Sequence, residues 1–539
     1  MSFYFAFHSL NPPFSLLVHD AAAIETPSMA ARRLRGFSGG GWRVLTLAMA
    51  AVATTIVAIL RLVLFAPLPI TSLSSSSLSP VPGAVPNASL ALGLAPCPNS
   101  SDPPLNFVYV TPVASPPPPV LVPLPSGDVN SGSAYSVVKV DSIDQKPRLV
   151  EPKAPVQLMA KDRQLIYAKR EIDRAPLVSD DPELYAPLFR NLSVFKRSYE
   201  LMEKILKVYI YQEGTRPIFH QPDLKGIYAS EGWFMKLMEG NKHYAVKDPR
   251  KAHLFYLPYG SRQLELALYV PDSHRMKPLS LFLKNYVNMI AAKYPFWNRT
   301  KGSDHFLVAC HDWGPYTTKE HDELWKNTIK ALCNADVSED VFIRGKDVSL
   351  PETNIRNPRR PLRDIGGNPV SQRSILAFFA GNMHGRVRPV LLKYWGGKDE
   401  DMKIYGPLPN RVAKKMSYAQ HMKSSKFCIC PMGFEVNSPR IVEAIYYECV
   451  PVIIADHFVP PFDEVLDWSA FSVIVAENDI PNLKDILLAI PLRKYISMQT
   501  NVKRLQKHFL WHARPVKYDL FHMILHSIWF NRLNQIQAP

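Results

Sequence analysis

The sequence predicts an α/β protein in which two Rossmann-like domains face each other across a cleft. Strand-like and helix-like segments alternate over most of 186–535, which is typical of a mainly parallel sheet. A connector rich in proline and arginine, 351–372, interrupts the alternation and divides it into two units. The chain before residue 186 lacks this alternation and contains one long apolar run. We therefore expect a two-domain body that is preceded by a transmembrane helix and a stem.

The first unit, 186–350, is the predicted N-terminal domain. Short apolar runs predict its strands, and amphipathic stretches predict its helices. Ser230 belongs to the residue types that favour the N-cap position, so a helix is expected to start there. The expected segments are helix 194–206, strand 208–211, helix 233–238, strand 253–257, helix 279–293, strand 305–310 and helix 319–332.

The second unit, 373–535, restarts the alternation after the connector. We see no internal sequence repeat between the two units, so we do not infer duplication. The expected segments are strand 375–380, helix 387–394, helix 417–425, strand 427–430, helix 440–447 and strand 450–455. In open α/β sheets ligands bind beyond the carboxyl ends of the strands, so we expect the functional residues in the loops that follow them.

Residues 44–66 predict a single transmembrane signal anchor. The segment is mostly apolar, its single charge is Arg61, and its length is about the twenty residues that a bilayer requires. A cleaved signal peptide is the alternative, but the apolar run is longer than the hydrophobic region of such a peptide and begins far from Met1. We therefore expect the chain to stay attached to the membrane by one helix.

The charges on either side of this segment predict its orientation. Arginines precede it at positions 32, 33, 35 and 43, whereas the next charge after Arg61 is Asp102. The positive-inside rule makes 1–43 a cytosolic tail and the rest of the chain lumenal. Met29, which is followed by these arginines, is an alternative start of the chain.

Residues 67–185 predict a lumenal stem or linker. The serine run 74–77 and the proline run 116–119 favour extended polyproline II backbone over a packed core. Glycosylation sequons follow the predicted anchor at Asn87, Asn99, Asn191 and Asn298. We interpret the six cysteines, at positions 97, 310, 333, 428, 430 and 449, as structural, and their pairing stays open.

The formal charge of +16 favours an anionic partner, such as a phosphate or an acidic polysaccharide. The sequence has no zinc-finger spacing, RNP-like aromatic motif or concentrated basic tail, so nucleic acid is not an expected partner. The predicted two-domain body, 186–535, also lacks a Gly-x-Ser-x-Gly elbow and a zincin motif, which argues against a hydrolase.

Residues 427–455 contain the clearest indication of a binding site. Ser438 is a favoured N-cap residue and Pro439 suits a first helical turn, so a helix is expected to start here directly after a loop. A helix start and the guanidinium of Arg440 suit a phosphate, and Glu443 suits a ribose diol. The alternative is a capped helix with a surface ion pair, in which Gly433 only makes a turn.

This segment resembles the exostosin-like glycosyltransferase family 47 of plants. The resemblance rests on Ser-Pro-Arg-x-x-Glu-Ala at 438–444 and Pro-Val-Ile-Ile at 451–454, within 427–467. Further matching motifs, which extend the resemblance over about 206–511, lie at 208–211, 305–314, 346–351, 379–381 and 384–385.

The resemblance implies a GT-B-like fold and inverting transfer of a sugar from a nucleotide-diphosphate sugar to a cell-wall polysaccharide. It implies no cofactor and no obligatory metal. With the predicted anchor, it implies a type II protein of the Golgi membrane, and complexes with other Golgi glycosyltransferases are a further expectation. Hemicellulose and pectin are the acceptor classes, and the basic charge slightly favours an acidic one. A non-catalytic scaffold subunit and a lectin-like binding protein remain alternatives.

The donor is expected to contact the second unit. The candidate donor-binding residues are Arg440, Glu443, Glu435, Gly433, Ser438 and Arg388. Glu435 and Glu443 have a spacing that also occurs in retaining enzymes, so the anomeric outcome has to be measured. Asp399-Glu400-Asp401 has the spacing of a metal-binding motif, but we interpret it as a solvated loop between elements.

The acceptor hydroxyl needs a general base across the cleft from the leaving nucleotide. The strand 305–310 ends in His311 and Asp312, which makes these two residues the candidate catalytic bases, and Trp313 offers an aromatic face to a sugar. The alternative is that His311 and Asp312 only bond to each other or to the loop backbone.

Overall fold

In the computed structural model, which describes residues 160–362 and 364–536, two parallel β-sheets each carry helices on their faces. This architecture confirms the predicted α/β class with its two sheets. The predicted cytosolic tail, the anchor 44–66 and most of the stem lie outside the described residues. Within those residues, no helix has both the length and the apolar character needed to cross a bilayer.

The first sheet has the strand order β2-β1-β3-β4-β5-β6, and all its described pairs are parallel. Its central strands are buried because helices cover the faces of the sheet. The strands are β1 Val208–Ile210, β2 Ala245–Val246, β3 Leu254–Tyr256, β4 His305–Ala309, β5 Ile329–Leu332 and β6 Val348–Ser349.

The helices that belong to this first part of the chain are α1 Ala160–Asp173, α2 Leu192–Ile205, α3 Ala229–Glu239, α4 Ser261–Leu268, α5 Lys277–Lys293, α6 Pro295–Thr300 and α7 Asp322–Lys326. Asn191 caps α2, since its Oδ1 accepts from the backbone N–H of Val194 at 3.1 Å. Asn191 and Asn298 are both exposed, whereas Asn87 and Asn99 lie outside the described residues. Glycosylation of the four sites stays a prediction.

The second sheet has the strand order β11-β10-β9-β7-β8, again with parallel pairs. Its strands are β7 Ile375–Ala380, β8 Met402–Tyr405, β9 Ser425–Pro431, β10 Val450–Ile454 and β11 Val473–Ile474. The chain reverses its direction of winding between β7 and β9, so the sheet has a switch point there. The carboxyl ends of these two strands are where an open sheet binds its ligand.

The helices of the second part of the chain are α8 Val387–Trp395, α9 Asn410–Lys415, α10 Tyr418–Ser424, α11 Arg440–Tyr446, α12 Leu483–Leu488, α13 Leu492–Leu505 and α14 Leu520–Gln535. Ser417 begins α10 with a reciprocal capping box that includes Gln420. The strands 375–380 and 450–455 and the helices 387–394, 417–425 and 440–447 were all predicted to within two residues.

The two ends of the described chain pack on the first domain, which differs from the predicted boundaries. Helix α1 lies in the predicted stem, yet Leu165, Ala168 and Ile172 are buried against α2 and α14. Helix α14 falls in the predicted C-terminal domain, yet it packs on α2, β5 and β6 of the first sheet. It is buried on nearly all sides, and packing on one face of a sheet alone would not cover it in this way.

Two local predictions were wrong. The expected helix 319–332 is the short helix α7 followed by β5, whose four residues are all buried between β4 and β6. A short strand that is buried on both faces has no alternation, so its pattern does not separate it from a helix. Ser230 lies inside α3 and not at its N-cap, which is Tyr228.

Disulfides join neighbouring parts of each sheet. Cys310 pairs with Cys333 just beyond the ends of β4 and β5, and Cys428 of β9 pairs with Cys449 before β10. Among the described residues Cys430 is a buried free thiol, and Cys97 lies outside them. The structural interpretation of the cysteines therefore applies to the four that are paired.

The Lys346-Asp347 motif is part of the buried framework. The Asp347 carboxylate accepts from Lys346 Nζ at 2.7 Å and from the backbone N–H groups of Lys330 and Ile343 at 3.0 Å each. The ammonium of Lys330, which is fully buried, lies 3.3 Å from the same carboxylate. This motif therefore stabilises the start of β5 and the loop before β6.

We expect Asp347→Ala to lower the free energy of unfolding by about 3 kcal/mol, because it leaves a buried ammonium without its anion. Asp399→Ala is the matched control, because Asp399 pairs with Lys484 in a more exposed loop. This substitution should lower the free energy of unfolding by less than about 1 kcal/mol. Denaturant unfolding of both variants measures the difference. Equal losses would show that the buried cluster has no special role.

Candidate active site

A cavity of about 640 Å³ lies between the two sheets and is lined by residues of both domains. Its walls are the loops that follow the carboxyl ends of β4, β5 and β6 on one side and of β7 and β9 on the other, together with the start of α11. The residues that line it and enter the discussion below are Tyr228, Asp312, Asn334, Glu352, Asn354, Arg356, Gly381, His384, Arg388, Tyr418, Gly433, Glu435, Asn437, Arg440 and Glu443.

Arg440, at the start of α11, presents its guanidinium to the cleft. Its Nε and Nη2 donate to the carbonyl oxygen of Ala380, at the end of β7, at 3.2 and 2.9 Å. Its guanidinium also lies over the ring of Phe379, 5.1 Å from the ring centre. Among the described residues no carboxylate lies within 4 Å of it, so the cation is positioned without being neutralised.

Arg388 lies on α8 and is almost fully buried beside Arg440. Its Nε donates to the carbonyl oxygen of Met432 and its Nη1 to that of Asn382, both at 3.1 Å. Burial, with a smaller contribution from Arg440, lowers the pKa of Arg388 to about 10. Arg388 is therefore not a solvated arginine but the second cation of the cleft.

Two glycines leave room for these arginines. A Cβ atom on Gly381 would lie 2.1 Å from Nη2 of Arg440, and one on Gly433 would lie 2.9 Å from Nη2 of Arg388. Neither glycine has a positive φ, so the need at both positions is for space and not for an unusual backbone. The alternative interpretation of Gly433 as a turn glycine does not explain this contact.

We expect Gly381→Ala to weaken binding of a nucleoside diphosphate about tenfold, because the new methyl group displaces the guanidinium of Arg440. Stability should change by only about 1 kcal/mol, since Arg440 is a side chain that has room to move towards the cavity. Calorimetric titration with UDP and a thermal melt measure the two effects. Unchanged affinity would show that the position of Arg440 is not needed for binding.

Glu443 accepts hydrogen bonds from two sides of the cleft. The Tyr418 hydroxyl donates to its Oε2 at 2.8 Å, and Asn354 Nδ2 approaches its Oε1 at 3.4 Å. It does not pair with Arg440, although the two residues share a helix turn. The surface ion pair that was the alternative interpretation is thus absent from the described residues.

Ser438 does not face the cleft. It is buried, and its Oγ lies 3.5 Å from Nη1 of Arg440. The N-cap of α11 is Pro439, which makes no side-chain cap. Ser438 was expected as a cap and a donor contact, whereas the structure places it behind Arg440, because the preceding Asn437 turns the chain by accepting from the Ser438 N–H at 2.7 Å.

Asn437 and Glu435 connect the domains at the floor of the cleft. Asn437 Nδ2 donates to the carbonyl oxygen of Cys333 at 2.9 Å, and Asn334 Nδ2 donates to Oε2 of Glu435. Burial, followed by the nearby Asp312, raises the pKa of Glu435 to about 8. Glu435 therefore lies between the domains. A residue that contacts only the donor would be expected farther from Asn334 and Asp312.

Asp312 is in the cleft on the side of the first domain, as its place after β4 predicted. Burial raises the pKa of its carboxyl group, and the nearby Tyr228 hydroxyl partly opposes this effect. The ring of His311 contacts the ring of Tyr228 at a tilt of 51°, with 4.7 Å between the ring centres. Asp312 is thus held at the cleft surface opposite the two arginines.

His311 lies behind Asp312 and does not line the cavity. Its Nδ1 accepts from the backbone N–H of Trp313 at 3.2 Å, and its Nε2 lies 3.5 Å from Nη1 of Arg262. Burial and, to a smaller extent, Arg262 lower the pKa of His311 to about 3. Because both ring nitrogens face protein groups, His311 supports the loop, and Asp312 is the better placed base.

Sequence reasoning missed Glu352, which the structure places in the middle of the cavity wall. Burial, followed by the nearby Asp312, raises its pKa well above the usual range for glutamate. It follows directly after the matched motif 346–351, at the end of β6. A search for carboxylates up to three residues beyond each strand, once β6 is known, includes it.

The Asp399-Glu400-Asp401 motif lies apart from this cavity. Asp399 and Asp401 both approach Lys484, and the motif precedes β8 in a loop, as expected. Across the described parts of the chain, no group of three or more His, Cys, Asp or Glu residues is arranged to hold a metal ion. Whether the reaction needs a metal stays a prediction to be tested.

Comparison with known proteins agrees with this arrangement. The family model described as the exostosin GT47 domain matches residues 202–490. A probable glycosyltransferase of Arabidopsis thaliana is 47% identical over 357 residues, which cover 66% of this chain and 68% of that protein. A second probable glycosyltransferase of the same plant is 42% identical over 382 residues, covering 71% and 80%.

More distant relatives carry more specific names. A probable beta-1,4-xylosyltransferase of Arabidopsis thaliana is 30% identical over 348 residues, covering 60% of this chain and 81% of that protein. The region that the family model matches, 202–490, contains both sheets and all the residues that line the cavity. Helices α13 and α14 follow it.

Proposed function

Since the chain belongs to the exostosin GT47 family and is a glycosyltransferase, we propose that it transfers a sugar from a nucleotide-diphosphate sugar to a cell-wall polysaccharide. The transfer inverts the anomeric carbon, and the two domains form a GT-B-like enzyme. The acceptor is a hemicellulose or a pectin. The observation that carries this proposal is the pair Arg388 and Arg440, which faces Asp312 across one cavity.

The two arginines suit the diphosphate of the donor. Guanidinium groups bind phosphate oxygens with paired N–H donors, and charge that develops on the leaving nucleotide needs such donors in a dry site. Arg440 is fixed by Ala380 and Phe379, and Arg388 by the carbonyl groups around it. Their charges remain available because no described carboxylate pairs with either one. Glu443 then lies where it accepts from the hydroxyls of a ribose.

Asp312 suits the acceptor hydroxyl. In the proposed step the hydroxyl oxygen forms the new bond to the anomeric carbon while the bond from that carbon to the diphosphate oxygen breaks. The proton of the hydroxyl moves to Asp312, and the bonding electron pair leaves with the nucleoside diphosphate, which Arg388 and Arg440 stabilise. A base and a leaving group on opposite sides of the sugar are the geometry of inversion.

The arginine pair also supports transfer without an obligatory metal, because it supplies positive charge at the diphosphate. Addition of EDTA to the purified enzyme tests this expectation. Retained transfer agrees with it, and loss that is restored by Mg²⁺ or Mn²⁺ contradicts it.

We propose that the enzyme is a type II protein of the Golgi membrane with its catalytic domains in the lumen. The predicted anchor, the exposed Asn191 and Asn298 and the two disulfides support this location, because glycans and stable disulfides belong to the secretory pathway. Protease protection of the catalytic domains in intact Golgi vesicles tests the orientation. Digestion without detergent would contradict it.

Transfer by the full-length protein in detergent tests the proposed function. The purified protein is incubated with a panel of nucleotide sugars and oligosaccharides from xyloglucan, xylan and pectin, and the release of nucleotide and the anomeric configuration of the product are measured. We expect release that depends on the acceptor and a product with inverted configuration. Nucleotide binding without turnover would favour the scaffold, and polysaccharide binding without nucleotide binding would favour the lectin.

A further inference from the structure

Glu352 presents its carboxyl group to the cavity and has no hydrogen-bond partner among the described residues. Its side chain lines the cavity, yet the residue is only 7% exposed. Its carboxyl oxygens are open to the cavity, so water or a ligand there supplies the partner that the protein does not. A ligand that occupies the cavity is therefore the natural partner of Glu352.

The residues on both sides of Glu352 are held in place. Ser230 Oγ donates to the carbonyl oxygen of Pro351 at 2.5 Å and lies 2.7 Å from Oγ1 of Thr353. Trp511 Nε1 donates to the same Thr353 Oγ1 at 3.1 Å. These bonds explain why Ser230 is buried inside α3, and they fix the backbone from which Glu352 projects. Such support is typical of a residue that positions a ligand.

Glu352 lies between the phosphate side and the acceptor side of the cavity. The charged groups that act on it are Asp312 from one domain and Arg440, Arg388 and Glu443 from the other. In the proposed reaction the diphosphate lies at the arginines and the acceptor hydroxyl at Asp312. The group between them is the sugar that is transferred.

The charges around this position oppose an anionic sugar. The cavity-lining cations among the described residues are Arg388, Arg440 and Arg356; the imidazole of His384 also lines it, and burial lowers its pKa. Arg388 and Arg440 face the diphosphate, and Arg356 is exposed on the side of Tyr447.

The remaining nearby cation is already paired. Arg262 acts on Asp312 from outside the cavity, and its Nη1 lies 2.6 Å from Oε2 of Glu265. A uronate carboxylate beside Glu352 and Asp312 would therefore lie next to two carboxyl groups, and the lining cation that is not assigned to the diphosphate, Arg356, is exposed to solvent. Burying such a charge beside other carboxyl groups is unfavourable.

We propose that Glu352 binds the hydroxyl groups of the transferred sugar, and that this sugar is a neutral hexose or pentose and not a uronic acid. The inference rests on the proposed function, because it needs a nucleotide sugar in the cavity. Burial raises the pKa of Glu352, which favours the protonated carboxyl group, and that form donates one hydrogen bond and accepts another. Each hydroxyl group of a sugar can likewise donate one hydrogen bond and accept another.

Matched donor pairs test the second part of the proposal. UDP-glucose and UDP-glucuronic acid differ only at C6 of the sugar, as do UDP-galactose with UDP-galacturonic acid and GDP-mannose with GDP-mannuronic acid. Titration of the full-length protein should give a Kd at least about tenfold lower for the neutral member of the pair that it uses. Equal or tighter binding of the uronic acid member overturns this part.

Variants of Glu352 test the first part. Glu352→Ala should raise the Kd of the preferred nucleotide sugar at least about tenfold, whereas the Kd of UDP or GDP alone should change less than about twofold. Glu352→Gln, which keeps a donor and an acceptor, should stay within about threefold of the unmodified protein. An equal loss of affinity for the nucleotide and the nucleotide sugar overturns the assignment.

Thermal melts separate this role from a structural one. Glu352→Ala should not lower Tm, because no described partner loses a bond. Glu464→Ala is the matched control: Glu464 lies outside the cavity and accepts from Ser527, so its loss should lower Tm and leave donor selectivity unchanged. A lower Tm for Glu352→Ala overturns the role as a ligand contact. Failure of the unmodified protein to bind any nucleotide sugar overturns the proposed function itself, whereas transfer of a uronic acid overturns only this inference.

Discussion

Replacing Arg440 with alanine should lower kcat/KM of transfer about 10³-fold, because the leaving diphosphate loses a positioned cation in a water-poor site. The residue contacts the cavity directly, and its guanidinium is fixed by Ala380 and Phe379 before any ligand arrives. The Kd of the nucleoside diphosphate should rise as well. Acceptor-dependent release of nucleotide and calorimetric titration measure the two quantities.

Arg386→Ala is the matched control for Arg440. Arg386 lies in the loop before α8, is exposed, and pairs with Glu477 through two bonds of 2.7 Å. Its removal should change transfer less than about threefold. Arg440→Lys should recover only part of the activity, since an ammonium does not reproduce the forked donors. Equal activity of the Arg386 and Arg440 variants would contradict the assignment of the diphosphate site.

Replacing Asp312 with asparagine should lower kcat about 10³-fold, because the acceptor hydroxyl loses its general base. The substitution keeps the size of the side chain, so the Kd of the donor should change less than about threefold. Single-turnover measurements with saturating donor separate the chemical step from binding. Near-normal turnover of a folded Asp312→Asn protein would show that Asp312 is not the base.

The pH profile gives an independent test of Asp312. A base must be deprotonated to act, so transfer should fall as the pH drops through the pKa of Asp312. Burial raises this pKa above the ordinary value for aspartate, so the acidic limb of the profile should lie at a higher pH than a solvated aspartate would give. The limb should disappear from the residual activity of Asp312→Asn.

The same assay separates His311 from Asp312. Burial holds the pKa of His311 near 3, and its ring nitrogens face Trp313 and Arg262. His311→Asn should therefore lower kcat less than about tenfold, through the loop that it supports. A loss as large as that of Asp312→Asn would assign the base to His311.

Local sequence determined much of the framework and part of the site. The apolar runs at 375–380 and 450–455 predicted buried strands, because a strand inside a parallel sheet needs apolar residues on both faces. The order of Arg440 and Glu443 after a strand and a loop predicted a phosphate site, because helix geometry alone brings them to one end of α11. Asp312 was predicted for the same reason, as the residue that follows β4.

Tertiary structure decided the remainder. The partners of Ser230 are more than a hundred residues away in the chain, so its place inside α3 has no local signal. The return of α14 to the first sheet likewise depends on which surface is left uncovered once both sheets have formed. Glu352 is assigned to the cavity only when β6 is known to be the edge strand of the first sheet.

The physical reason is that local sequence and strand order carry different structural information. Spacing along the chain reports the backbone conformation and the burial of one segment, since both depend on neighbouring residues. Strand order, by contrast, decides which loops meet beyond the strands, and it follows from how whole sheets and helices cover one another. For this protein the sequence therefore predicted its class, six of the eleven described strands and the arginine that we propose binds phosphate, whereas only the tertiary structure brought Asp312, Glu352 and Arg388 to the same cavity.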